Sequence, residues 1–180
     1  MSGGRRGRRG AKTGCGRVAV LVRSPLWRVP GLRPAETARR AARAALDAVA
    51  ASPDGAAGVT LVLSHDAELR ALNRLWRGKD RPTNVLAFPS GPKWPGRDAA
   101  LGEVILSFET LAREAEGAGR PLGHHLSHLV VHGVLHLLGY DHDRPAEARR
   151  MEGLEVKLLA GLGISDPYAA PAPSRRAARR

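Results

Sequence analysis

Apolar residues along this chain follow two rhythms, and each marks a kind of element. Short apolar runs rich in β-branched residues recur at Arg17 to Arg23, Gly58 to Leu63, Thr83 to Phe88 and Leu101 to Phe108. The first stops at Ser24-Pro25 and the third is held between Pro82 and Pro89, so these runs predict four β-strands. Elsewhere the period lengthens to that of a helix. Pro34 opens a helix over Ala35 to Ala51, with Ala38, Ala41, Ala45, Leu46 and Val49 on one face and Pro53-Asp54-Gly55 as its stop. Ser64 or Asp66 is expected to cap a second helix, whose Leu69, Leu72, Leu75 and Trp76 keep the helical period until Gly78. A third is predicted over Glu109 to Glu116, the longest from Pro121 to Gly139, and a last from Pro145 to Leu159. Residues 91–99 read as a surface loop, and no internal repeat is visible. The order β-α-β-α-β-β-α-α-α predicts an α+β fold, a single domain with a small four-stranded mixed sheet packed against about five helices.

Composition narrows the class. The chain has 180 residues, 43% of them hydrophobic, which is enough for one domain with a core and excludes wholesale disorder. Cys15 is the only cysteine, so a disulfide framework, a cysteine zinc site and a two-cysteine redox motif are excluded. A reducing, cytoplasmic compartment is expected. The apolar run Val18 to Val22 is too brief for a signal peptide. Histidines interrupt the stretch Leu126 to Leu138, which falls far short of the ~20 apolar residues of a membrane span. A soluble protein with no membrane partner is expected.

The formal charge of +12 sits mostly at the ends. Residues 1–17 and 171–180 hold 10 of the 29 basic residues and no acid, leaving 19 basic against 17 acidic residues between them. Flexible basic tails at 1–16 and 164–180 are therefore expected to flank a folded domain at 17–163. Such Arg-rich ends suit phosphate backbones through counterion release, or are simply solvated.

Six of the seven histidines lie between 124 and 142, and His124, His128, His132 and His136 recur every fourth residue, along one helical face. Positions i and i+8 are ~12 Å apart on a helix, so three successive members cannot share one ion at ~2 Å, whereas two at i and i+4 can. His132 and His136 precede Gly139, where the helix should turn and bring His142 back. The spacing is that of the H-E-x-x-H-x-x-G-x-x-H metalloproteases, with Gly133 in place of the glutamate. Three imidazoles and one open position make a catalytic zinc geometry, although imidazole also suits nickel, copper or iron. Without the glutamate, peptide hydrolysis lacks its general base. An all-histidine site keeps the full charge of a divalent ion and suits an anionic, phosphoryl-bearing substrate. Arg77 is the candidate for gripping the phosphate, although spacing alone favours a solvated helix end opposing the dipole.

The stretch His128-Leu-Val-Val-His132-Gly-Val-Leu-His136-Leu-Leu-Gly-Tyr-Asp-His142, followed by Met151-Glu152 and Glu155, resembles the YbeY family of bacterial endoribonucleases. Leu72-Asn73 through Arg77, Lys79 to Pro89 with Pro82-Thr83-Asn84-Val85-Leu86, and Leu101 to Ser107 extend the resemblance in family order. It implies a single-strand-specific, zinc-dependent endoribonuclease active in 16S rRNA 3′-end maturation and late 70S ribosome quality control. One Zn2+ per chain is implied, held by His132, His136 and His142, with Arg77 and His132 as catalytic residues. Single-stranded RNA or an rRNA precursor is the implied substrate, and the ribosome or small subunit with its assembly factors the implied partner. Asn84, Ala87 and Glu103 depart from the commoner Asp, Ser and Asp of the family. The general base stays open among Asp141, Asp143, a metal-bound hydroxide and the ribose hydroxyl. His128 could steady a ligand, touch substrate or merely pack, Tyr140 could face the metal or close the turn, and Asp143 could cap the last helix. Two other readings are an RNA-binding assembly factor with a structural metal, and a metal hydrolase of another phosphoester.

Overall fold

Four strands form one sheet in the computed structural model, which describes residues 17–49, 58–91 and 100–169. The tail expected at 1–16, the 170–180 part of the tail expected at 164–180, Cys15, the turn at 53–55 and residues 92–99 of the loop expected at 91–99 lie outside the described residues. The strands are β1 (Val18–Val22), β2 (Gly58–Ser64), β3 (Val85–Pro89) and β4 (Ala100–Ser107), in the order β1-β2-β4-β3. β1, β2 and β4 run parallel, and β3 closes the edge antiparallel to β4. The five α-helices among the described residues are α1 (Pro34–Val49), α2 (Asp66–Arg77), α3 (Phe108–Gly117), α4 (Leu122–Leu137) and α5 (Pro145–Gly161). The α+β fold and mixed sheet are thus those the pattern predicts; the turn-rich stretch after β1 adds one short 3-10 turn, Pro25–Trp27.

Alternation along β4 divides the core. Val104 and Leu106 join Leu61, Leu63, Val130 and Val134 on the face that α1 and α4 cover. Ile105 points the other way, with Val62, Leu86 and the Leu69 of α2. Ala38, Ala41, Ala42 and Ala45 are all buried, so the small side chains of α1 let its backbone approach the core closely. α4 buries Leu126, Leu129, Val130, Val131, Val134, Leu135 and Leu137, as a helix enclosed on several sides must. Its remaining strip, His128, His132 and His136, is half-buried.

Three local expectations change. Leu75 and Trp76 do not continue the apolar face of α2: they are 74% and 67% exposed. The last turn of α2 meets edge strand β3, where Trp76 rests on Phe88 with ring centroids 6.0 Å apart and no further strand lies beyond among the described residues. Asn73 is buried instead, its Nδ2 donating to the Arg81 carbonyl at 2.8 Å. The N-cap of α2 is His65, without a side-chain cap bond. Ser64 turns its hydroxyl to Glu68, and Asp66 accepts from the Ser107 and Thr110 hydroxyls, tying α2 to α3. Packing also continues past the boundary expected at 163: Ile164 is buried and the Tyr168 hydroxyl donates to Glu155.

Gly133 seats α4 on the sheet. A β-carbon there would stand 2.5 Å from Val104 Cγ1 and 3.4 Å from Val85 Cγ2. Gly133→Ala is therefore expected to cost about 1–3 kcal/mol, by overpacking, in urea unfolding. An unchanged unfolding midpoint would show slack between helix and sheet that this contact denies.

Candidate metal centre

His132 and His136 stand one turn apart on α4, and the helix then stops abruptly. Gly139 takes φ 88°, its N–H reaches the His136 carbonyl at 3.0 Å, and the Tyr140 N–H reaches the Leu135 carbonyl at 3.0 Å. This left-handed cap reverses the chain, as only glycine does at low cost. The reversal returns His142 to the helix end. One nitrogen from each of His132, His136 and His142 lies within 4.8 Å of the others. The His132 and His136 Nε2 atoms are 3.1 Å apart, and His142 approaches the two rings at centroid distances of 5.6 Å and 5.0 Å. Two nitrogens each bound to a tetrahedral zinc stand about 3.3 Å apart, so the pair fits one shared ion. His142 is exposed, which leaves the side away from the helix open.

The donor set is oriented from behind. Glu155 is fully buried on α5, and its Oε1 accepts from His132 Nδ1 at 2.8 Å. That bond fixes the tautomer and leaves His132 Nε2 facing the other imidazoles. Glu155 Oε2 accepts from His128 Nε2 at 3.1 Å and from the Tyr168 hydroxyl. Burial alone would raise the Glu155 pKa; the hydrogen bonds from His128, His132 and Tyr168 outweigh it and hold the carboxyl at about 2. His136 is held below the ordinary histidine range by burial and by the neighbouring His132 and His142 rings, against the pull of Asp141. A low pKa favours the neutral imidazole, the form that binds metal.

The three predicted ligand histidines are therefore brought together. His128 is not: it packs one turn back, against Glu155 and Tyr168. His125 turns to Glu114, whose carboxylate also accepts from Asn84 Nδ2 at 2.9 Å, so an amide at 84 suits this pairing as a carboxylate would not. Tyr140 closes the turn, with Arg150 lying 5.5 Å over its ring. Asp143 does not cap α5, because Arg144 holds that position; Asp141 accepts from the His142 N–H at 2.7 Å. Arg77 ends α2, exposed, and makes no ion pair with another described residue. α2 packs on the sheet face opposite α4, so the helices bearing Arg77 and the histidines flank the edge strand from two sides. Glu155 and Tyr168 are the residues that spacing did not assign. The signal for Glu155 was an acid in line with Met151 and Leu159, which are four residues away on either side and buried on the same stripe.

Fold and site together define an α+β protein with a three-imidazole centre able to hold one metal ion open to a ligand. Residues 32–163 match the family described as Endoribonuclease YbeY, and the chain belongs to the YbeY family. It is 52% identical over 158 residues to the Endoribonuclease YbeY of Paramagnetospirillum magneticum, covering 84% of this chain and 94% of that protein. With the Azorhizobium caulinodans Endoribonuclease YbeY it shares 50% over 157 residues, covering 86% and 98%. The solution structure of TM1509 from Thermotoga maritima has the same fold, with a TM-score of 0.51 and 22% identity over 84% of this chain and 99% of that one.

The buried carboxylate makes an acid-stability prediction for the metal-free protein. A carboxyl depressed from an ordinary 4.5 to about 2 adds stability that is complete above about pH 4.5 and lost as pH falls through about 2. The gap in melting temperature between wild type and Glu155→Gln should therefore be widest above pH 4.5 and shrink toward pH 2. A gap that does not change with pH would contradict an ionised Glu155.

Proposed function

We propose that this chain is a zinc-dependent endoribonuclease that cuts single-stranded RNA, acting on rRNA precursors in 16S 3′-end maturation and in late 70S ribosome quality control. The observation that carries this reading is the convergence of His132, His136 and His142, with His132 locked from behind by Glu155. Family membership supports an RNA phosphodiester as the bond attacked. A bound zinc would polarise a phosphoryl oxygen and lower the pKa of a bound water. The chain's own groups do the rest. His132, His136 and His142 present one ring nitrogen each, and Glu155 keeps the His132 proton on Nδ1. Arg77, free of ion pairs among the described residues, grips a phosphate of the RNA and steadies charge that builds as the bond breaks.

Gly133 bears on what the site does not do. Its α-carbon faces Val104, so the position that carries the general base in metalloproteases has no room here for a side chain. Peptide hydrolysis therefore has no base, and proton transfer falls to an exposed group such as Asp141 or Asp143, to solvent, or to the ribose hydroxyl. A cytoplasmic location and a ribosomal or small-subunit partner complete the reading; among the described residues, no helix is long and apolar enough to cross a membrane.

Cleavage of a short labelled single-stranded RNA, with a duplex alongside, tests it. Zinc-loaded wild type should cut the single strand, and chelation or His136→Ala should abolish cutting. Arg77→Ala should lower the rate about 100- to 1,000-fold while zinc content stays constant. Equal cutting by wild type and His136→Ala would move the chemistry elsewhere. A wild type inert on free RNA, with an Arg77→Ala protein that still supports ribosome assembly, would favour the binding-factor reading.

A further inference from the structure

We infer that Trp76 is a base-stacking site for single-stranded RNA, an inference that rests on the RNA-substrate reading above. An indole 67% exposed on a small domain is unusual, because it leaves a large apolar ring in water. Leu75 beside it is 74% exposed. Trp76 is nevertheless held in place: it rests against Phe88 on β3, its ring tilted 60° to the phenyl.

The chain around it is rigid. Gly78 ends α2 in a left-handed cap, its N–H bonded to the Arg74 carbonyl at 3.1 Å. Buried Asn73 ties down the Arg81 carbonyl, and Arg70 grips Asp80 through bonds of 2.8 and 2.9 Å. The indole is thus preorganised, so binding to it orders little else.

Charge selects the occupant. Arg74, Arg77, Lys79 and Arg81 are exposed and make no ion pair among the described residues. Of the nearby acids, Asp80 is taken up by Arg70, and Glu103 lies across from Phe88 on β4. An exposed aromatic ring among unpaired cations matches a chain that alternates planar bases with phosphates. An acidic protein segment would satisfy the cations but offers no plane to stack. Position agrees with chemistry. β3 is a sheet edge whose Phe88 supports Trp76 of α2 on one face, while Val85 and Ala87 pack under α4 on the other. RNA crossing that edge meets the indole on one side and the histidine-bearing helix on the other.

The test is fluorescence anisotropy with a labelled, 2′-O-methylated 12-mer that resists cleavage, and with an abasic chain of equal length, on zinc-loaded protein. Trp76→Ala should weaken binding of the base-bearing strand by about 5- to 100-fold, leave the abasic strand unchanged, and be largely restored by Trp76→Phe. Circular dichroism melts should coincide, since the side chain is largely exposed. Trp76→Ala that binds the base-bearing strand as wild type does would overturn the stacking site alone, as would equal losses on both strands. Wild type that binds neither strand would overturn the RNA reading and this site with it.

Discussion

A carboxylate with no contact with solvent holds the site together. A buried charge is costly unless it is fully hydrogen-bonded, and Glu155 meets that condition with donors from three residues. Two of them, His128 and His132, stand on α4, and the third, Tyr168, lies in the segment after α5. One side chain therefore links two helices and the C-terminal segment to one histidine of the candidate metal centre. Removing any donor leaves part of that charge uncompensated, so the positions of α4, α5 and residues 164–169 depend on one another.

The sheet sets the other limit on α4. Gly133 lets the helix come within contact of Val104 and Val85, and the stripe bearing His132 and His136 turns away from the sheet as a result. One residue thus has two consequences. It closes the position where a metalloprotease keeps its general base, and it fixes the height of the histidines over the edge of the sheet. What is left beside the sheet is a group of three imidazoles that could hold one ion.

Much of this was legible in the sequence. The four strands, the five helices and the mixed order were predictable because alternation and the helical period report which face of an element is buried. The convergence of His132, His136 and His142 was legible for a related reason: two of them share one helix, and the third follows the glycine that ends it. Leu75 and Trp76 misled because the period says where an apolar face points, not where the sheet beneath it stops. Asp66 misled because a carboxylate at a helix start serves equally well as a cap or as a bridge to another helix.

The sequence by itself determined the class of the fold, the histidine spacing and the absence of a side chain at Gly133, all read from patterns local in the chain. Tertiary structure alone decided that Glu155 is the partner of His132, 23 residues away, and that Tyr168 completes it. It also decided that Trp76 is left bare at the edge of the sheet, flanked by unpaired cations. Local patterns fix which way a side chain faces; what it meets there depends on segments that only the folded chain brings near.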